Sequence, residues 1–300
     1  MPPKNLKSRT TADRKDSDQV TFEIDGHAVR CSRLTKFLYP AAKFTKADVI
    51  EYYIRAAPYM LPHLKDRPVT LKRYPDGVTA QAFWEKDPPS FTPEWVKTFP
   101  VPRHAGGPDI QYILFQNTAT LVWAANAATL ELHPFLHRVP AITSPTSIVF
   151  DLDPGEGADL LQCVEVALLI KTVVEQLGLQ LFPKVSGLKG LQLYLPLNQP
   201  SSYEITQPFA RSIAQLIESQ HSDLALSEMA KAQRVGKVFI DWSQNADHKT
   251  TVGVYSLRAK TQRPFASMPV TWDELAEARK RKDVKSLYFD AHAPTPGWRR

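Results

Sequence analysis

The run Ser147-Ile148-Val149-Phe150-Asp151-Leu152-Asp153-Pro154-Gly155 decides how the rest of the sequence is read. Its apolar triplet, Ile148 to Phe150, has the character of a buried strand, and Pro154-Gly155 is a turn signal. Side chains alternate along a strand, so Asp151 and Asp153 share a face, with Cα atoms roughly 6–7 Å apart. Two carboxylates placed like this beside a core repel, which costs stability unless something neutralises them. On spacing alone two readings stand. The pair is a solvated strand end with two acidic turn residues, or a seat for Mg²⁺ or Mn²⁺, hard cations that take carboxylate oxygens.

Downstream the order of elements is legible. A helix over about 159–177 carries Leu160, Leu161, Val164, Ala167, Leu168, Val174 and Leu177 on an apolar face, with Gly178 at its end. Residues 181–185 read as a strand, 186–190 as a turn, 191–197 as a strand, 206–219 as a helix and 237–242 as a strand containing Asp241. The order β-α-β-β-α-β is that of a ferredoxin-like or RNA-recognition-motif-like unit. Asp241 ends a second apolar triplet, Val238-Phe239-Ile240, and so repeats the pattern of Asp151. In such a sheet the first and last strands are antiparallel neighbours. Asp241 therefore meets the first pair only if the acids lie within the strands rather than at opposite ends. Residues 250–258 alternate like a further strand. Thr271 and Glu274 form a capping box for a last helix, over about 271–284, and the charge run 279–282 in it reads as a solvated face.

Upstream, residues 20–24 and 27–31 flank Asp25-Gly26 and read as a hairpin. Thr45 reads as the N-cap of a helix that runs to about Ala57 and stops before Pro58. Lys36 and Lys46 bracket its start, either as a phosphate site or as two ordinary surface lysines. Residues 67–77 read as strand and turn, with Lys72 and Arg73 facing opposite ways. Phe83, Trp84 and Phe91 stand among basic and proline-rich sequence, where bases could stack on them, although the core is the usual place for such side chains. Residues 110–115 read as a strand and the Ala-rich run 118–130 as a helix. Residues 1–20 are polar and charged and read as a disordered tail. The expected organisation is a single domain over 21–300, with an N-terminal α/β module over about 21–140 and a core over about 141–270.

The bulk numbers narrow the function classes. Three hundred residues, 43% hydrophobic and 23% charged, suit an ordinary globular protein. No apolar run approaches the roughly 18 residues of a transmembrane helix, and the N-terminal stretch has no apolar signal core, so a cytoplasmic protein without a membrane partner is expected. Cys31 and Cys163 have no metal-ligand spacing, which argues against a disulfide framework or a zinc site. A formal net charge of +6 points to an acidic partner, nucleic acid first.

Two more features bear on chemistry. Ser186-Gly187-Leu188-Lys189-Gly190 is a turn whose glycines let the backbone approach a ligand and whose N–H groups can hold an anion. Lys189 adds a point charge and Ser186 a hydroxyl, at a spacing that is not Walker-type. Arg258, with Lys249 upstream, supplies a bidentate partner for phosphate. Three carboxylates, an anion turn and basic side chains fit phosphoryl or nucleotidyl transfer with two metal ions. A phosphodiester hydrolase would use a similar acidic cluster, whereas the anion turn favours a nucleoside triphosphate. The lysine-x-Asp-Gly pattern of nucleotidyl-transferring ligases is absent, because Lys72 stands too far from Asp76.

Ordered blocks extend these features along most of the chain: Leu38-Tyr39-Pro40, Leu61-Pro62-His63-Leu64, Arg67-Pro68, Lys72-Arg73-Tyr74-Pro75-Asp76-Gly77, Pro93-Glu94-Trp95-Val96, Glu131-Leu132-His133-Pro134, Asp151-Leu152-Asp153-Pro154-Gly155, Lys184-Val185-Ser186-Gly187-Leu188-Lys189-Gly190, Ile240-Asp241-Trp242-Ser243-Gln244-Asn245 and Tyr255-Ser256-Leu257-Arg258. Together they resemble the polymerase domain of bacterial DNA ligase D, in the archaeo-eukaryotic primase superfamily. The resemblance implies an α+β primase-polymerase fold and DNA-templated addition of ribo- or deoxynucleotides at gaps and ends during non-homologous end joining.

By that resemblance Asp151, Asp153 and Asp241 match the ligands of two Mg²⁺ or Mn²⁺ ions. Ser186, Lys189, Gln192 and Arg258 fall where the family grips the incoming nucleoside triphosphate, with Lys72, Arg73 and Lys249 nearby. Lys36 and Lys46 resemble the lysines that hold a downstream DNA 5′-phosphate, and Phe83 the aromatic that stacks on template. A Ku-like end-bridging protein and a separate DNA ligase are the implied partners, in a bacterial, nucleoid-associated setting. No ligase or nuclease motif appears, so a free-standing polymerase is expected. Two departures stand out: Gln192 where the family has histidine, and Gln116 about where relatives place another. They keep open a different reading, a relative that binds DNA ends without catalysis.

Overall fold

The computed structural model describes residues 19–103, 105–228 and 233–292. The expected tail therefore lies outside the described residues up to residue 18. The chain divides into two compact units, one running to His133 and including Ala259–Pro264, the other comprising Pro134–Arg258 and the chain from Phe265 onward.

In the first unit, β1 (Gln19–Ile24) and β2 (His27–Ser32) form the expected hairpin. Asp25 and Gly26 both take positive φ, 50° and 78°, as the tight two-residue turn demands. Strands β3 (Phe37–Tyr39) and β4 (Phe44–Thr45) lead into α1 (Lys46–Leu64), where Thr45 and Asp48 form a capping box. This helix does not stop before Pro58; it continues through Pro58 and Pro62. Both prolines are exposed and, four residues apart, share one face. Ala56, Ala57, Met60 and Leu64 bury the other face, and that burial outweighs the hydrogen bonds the prolines cannot donate.

The sheet of this unit centres on β5 (Pro68–Arg73), flanked by β6 (Phe83–Glu85) and β8 (Ile110–Leu114). Strand β7 (Thr98–Val101) joins β8, and β9 (Thr129–Pro134) also pairs with β5. Helix α2 (Thr118–Asn126) is shorter than the expected 118–130. Asn117 caps it, Ala128 turns left-handed at φ 59°, and the β-branched Thr129 starts β9.

The second unit runs β10 (Ser147–Pro154), α3 (Leu160–Gln176), β11 (Phe182–Val185), β12 (Leu191–Pro196), α4 (Tyr203–Gln220), β13 (Ala225–Leu226), β14 (Val238–Asp241), β15 (Leu257–Arg258), β16 (Phe265–Ala266), β17 (Met268–Pro269), α5 (Trp272–Arg281) and β18 (Phe289–Asp290). Its six-stranded sheet has the order β13-β14-β10-β12-β11-β17. The middle four strands are antiparallel in the sequence β14, β10, β12, β11, which is the RNA-recognition-motif arrangement. One face carries Ile148, Phe150, Leu152, Leu191, Leu193, Leu195 and Ile240, all buried, and helices α3 and α4 pack on the sheet. The chain is thus α+β.

Two local readings change. Helix α4 begins at Tyr203, three residues earlier than expected, with Pro208 exposed in its second turn. The expected strand over 250–258 is broken: Thr250 makes an isolated antiparallel bridge to Phe135 and Leu257–Arg258 pair as a short strand, while between them Tyr255 has φ 63°, its N–H goes to Ser267 O, and Ser256 N–H turns back to Gly253 O.

Candidate active site

The sheet register answers the question left by antiparallel strands. The acids lie within the strands, and Asp151 stands directly opposite Asp241 on β14. On its other side Asp151 faces Gln192 on β12, and Gln192 faces Lys184 on β11. Direct partners share a face, so Asp241, Asp151, Gln192 and Lys184 form one row across four strands, with Asp153 two residues along β10. Pairing of β10 with β14 ends at Asp241, where the chain enters a 3₁₀ turn, Trp242–Gln244. Asn245, fully buried, then stands in for a strand: Val149 N–H donates to its Oδ1 at 2.8 Å, and its Nδ2 donates to Val149 O at 2.7 Å.

Burial pushes the Asp151 carboxyl up to about 7, with Asp153 and, more weakly, Asp241 adding to the rise; a hydrogen bond from Gln192 and the charge of Lys184 oppose it. Burial likewise draws the Lys184 ammonium down to about 7, helped by Arg258 and opposed by Asp151. Lys184 Nζ donates to Val252 O. Asp241 already accepts from Ser243 N–H at 3.0 Å, from the Ser243 hydroxyl at 2.6 Å and from Gln244 Nε2 at 2.9 Å. Among the described residues no three Asp, Glu, His or Cys side chains form a finished metal cage. The donor chemistry nonetheless fits a hard divalent cation. Asp151 and Asp153 are carboxylates on one face that repel each other, and Asp241 is within register of them, held by partners of its own.

The anion turn borders this row. Ser186 N–H donates to Gly190 O, while the Ser186 hydroxyl oxygen accepts from Leu188 N–H at 3.3 Å and Gly190 N–H at 3.2 Å. Its two glycines are needed for different reasons. Gly187 has φ 75°, and a Cβ there would meet Ala266 backbone at 2.8 Å. At Gly190 a Cβ would lie 2.7 Å from Leu152 O and 3.3 Å from Asp153 Oδ1, so the turn sits directly against the acidic strand. Arg258 Nη1 donates to Ser186 O at 3.2 Å. Lys189 is exposed on the turn, and Lys249 is half-buried in a turn that closes on Ala246 O. Asp151, Asp153, Asp241, Gln192, Ser186 and Arg258 are thus in one assembly.

The remaining predicted residues belong to the other unit. Lys36 Nζ donates to Asp76 at 2.8 Å, and its carbonyl accepts from Lys46 N–H; Lys46 itself is buried at the first position of α1. Lys72 stands 4.0 Å from the buried Glu131 and 4.9 Å over the Trp84 ring. Arg73 faces the other way, paired with Glu85 and lying over Phe91. Phe83, Trp84 and Phe91 are at least half exposed instead of joining the core. Gln116 donates to Asp66 at 2.9 Å.

Sequence reasoning passed over Lys184, Glu131 and His133 as site candidates. Glu131 and His133 alternate on β9 and bond at 3.0 Å, with His133 edge-on to Trp84. The signal for Lys184 was parity: two residues before Ser186 on a strand, in a block otherwise read only as a motif.

The family described as "LigD, primase-polymerase domain" matches residues 45–292. The chain is 41% identical over 264 residues to the multifunctional non-homologous end joining protein LigD of Mycolicibacterium smegmatis, a match covering 87% of this chain and 34% of that protein. It is 34% identical over 243 residues to the bifunctional non-homologous end joining protein LigD of Bacillus subtilis, covering 81% and 38%. The chain therefore spans about a third of the length of these curated relatives. A solved structure, the polymerase domain from Mycobacterium tuberculosis ligase D in complex with DNA, matches with a TM-score of 0.77 at 38% identity, covering 84% of this chain and 94% of that one.

Proposed function

The chain belongs to the LigD primase-polymerase family, and from that premise we propose that it catalyses DNA-templated nucleotidyl transfer, adding ribo- or deoxynucleotides at gaps and broken ends. On this reading residues 21–300 make up a single primase-polymerase domain that works in non-homologous end joining beside a Ku-like end-bridging protein and a DNA ligase. The observation that carries the proposal is the acidic row, with Asp241 in register with Asp151 and the Gly190 turn against Asp153.

Asp151, Asp153 and Asp241 would hold two Mg²⁺ or Mn²⁺ ions. When bound, such ions would supply Lewis acidity, favouring deprotonation of an attacking 3′-hydroxyl and neutralising charge on a pyrophosphate leaving group. Lys189 and Arg258 bind the triphosphate, Arg258 through a guanidinium already anchored on the turn carbonyl of Ser186. Ser186 holds the turn's shape through its hydroxyl. Lys72, Arg73 and Lys249 add positive charge for the nucleotide, Lys36 and Lys46 hold a downstream 5′-phosphate, and Phe83 offers an exposed ring to the template. Among the described residues no helix is long and apolar enough to cross a membrane.

The test is primer extension on a gapped duplex bearing a 5′-phosphate, with Mn²⁺ and either ribo- or deoxynucleoside triphosphates, beside Asp151→Ala. Templated addition is expected, and Asp151→Ala lowers it by about a thousandfold, the worth of several kcal/mol of charge stabilisation. DNA binding in that variant stays intact or tightens, because a negative charge has gone. Extension that survives the substitution sinks the metal assignment. A second reading, a DNA-end binder without catalysis, is favoured by one observation, the uncharged Gln192 in the centre of the row. No addition by the native chain, with end binding retained, would establish it.

A further inference from the structure

Gln192 lies between Asp151 and Lys184 in the row and is almost fully buried. A glutamine amide has two unlike ends, a carbonyl that only accepts and an NH₂ that only donates, so its neighbours decide what it offers. Here they leave one choice. The Tyr194 hydroxyl, two residues along the same face of β12, donates to Gln192 Oε1 at 3.3 Å. The Tyr194 and Thr251 hydroxyl oxygens are 2.9 Å apart. Either hydroxyl can donate in that second bond; with the Tyr194 proton directed at Gln192 Oε1, Thr251 is the donor. The amide's NH₂ end is left for Asp151, the direct cross-strand partner of Gln192. The surroundings hold the relay still: Lys184 stands over the Tyr194 ring at 5.3 Å and bonds to Val252 O, the residue after Thr251.

Direction therefore runs one way, from Thr251 through Tyr194 and Gln192 to Asp151. We propose that Tyr194 and Thr251 are positioning residues that lock the Gln192 amide with its N–H toward Asp151 and so fix that carboxylate for a divalent cation. The inference rests on Asp151 being a metal ligand. If the amide were turned over, its carbonyl oxygen would face Asp151, two acceptors with no proton between them once that carboxylate is ionised for a cation. The ionised carboxylate, which only accepts, selects the NH₂ end, and the two hydroxyls brace the amide from behind, so the row has an uncharged donor at the position where the family has histidine.

The test is a double-mutant cycle read by Mn²⁺ binding, using titration calorimetry on the full chain. Tyr194→Phe, which removes one oxygen, weakens Mn²⁺ binding about tenfold, the scale of one hydrogen bond to a charged group. In a Gln192→Ala background the same substitution changes nothing further, since there is no amide to orient. Thr251→Val gives a smaller loss of the same kind and reports independently should Tyr194→Phe disturb the sheet. A tyrosine that merely packs would cost the same in both backgrounds, and that result, or wild-type affinity in Tyr194→Phe, overturns the proposal. Extension assays separate this from the reading it rests on. Coupled substitutions without native extension remove the polymerase reading and leave the relay; extension with additive substitutions removes the relay alone.

Discussion

The acidic row of the six-stranded sheet and the basic side chains of the other unit are built on opposite plans. In the row, backbone register puts Asp241 and Asp151 face to face, and burial first, then Asp153 and more weakly Asp241, push the Asp151 carboxyl up. Like charges are held together by the sheet, so the arrangement gains from any cation that arrives. In the other unit three of the four predicted bases stand beside an acid: Asp76 for Lys36, Glu131 for Lys72, Glu85 for Arg73. A phosphate reaching those bases must compete with carboxylates already present. The first plan stores a need for a ligand in the fold. The second stores a balance that a ligand must tip, which makes it weaker and more sensitive to salt.

The largest effect expected from breaking the first plan is at Gly190. A methyl there meets the Leu152 carbonyl at 2.7 Å, a backbone atom of the acidic strand that cannot step aside cheaply. Gly190→Ala should push the turn off the strand and lower extension about a hundredfold, as misplacement by an ångström does at a reacting centre. Single-turnover rates check this; an unchanged rate means that the turn's closeness to Asp153 is irrelevant to chemistry.

Next in size is the clamp that holds the register. Asn245→Ala leaves the Val149 N–H and C=O without their side-chain partner deep in the sheet. The expected cost is about 2–4 kcal/mol, the penalty for two buried backbone groups losing their bonds, measured by urea denaturation of the metal-free protein. A loss below about 1 kcal/mol would show that β10 and β14 keep their register unaided.

Much of the core sheet was legible before any coordinates. Apolar triplets ending in aspartate at 148–151 and 238–241, with Gly-rich and Pro-Gly turns between, leave few topologies open. The β-α-β-β-α-β order followed from strand length and helix periodicity alone. What escaped was mostly what depends on neighbours distant in sequence. Pro58 reads as a stop because proline breaks local hydrogen bonding, and only the burial of Met60 and Leu64 carries α1 past it. Ala-rich sequence over 118–130 reads as helix, and only pairing with β5 claims Thr129 and Leu130 for a strand. Lys184 lies in a motif block that drew notice only for its turn, and Tyr194 and Thr251 carry no motif; they matter because register and a chain reversal bring them to Gln192.

The smallest expected effect sharpens the second plan, and it has a sign that separates competition from mere loss of charge. Lys36 and Asp76 are 2.8 Å apart with Asp76 largely in solvent, and the Lys36 hydrogen bond and charge hold the Asp76 carboxyl below the usual carboxylate range. If Lys36 binds a downstream 5′-phosphate, Asp76 is its rival. Lys36→Ala should then lower the preference for a 5′-phosphorylated gap over an unphosphorylated one about fivefold, the range of an exposed charge contact. Asp76→Asn should raise that preference about twofold, because the ammonium no longer has to leave a carboxylate. Both shifts should shrink together as salt rises toward 1 M, where the screening length falls to about 3 Å. Paired binding titrations on the two gapped duplexes decide the matter. Two substitutions that shift the preference in the same direction would mean that Asp76 supports the site instead of competing for it, and no shift in Lys36→Ala would take Lys36 out of 5′-phosphate recognition altogether.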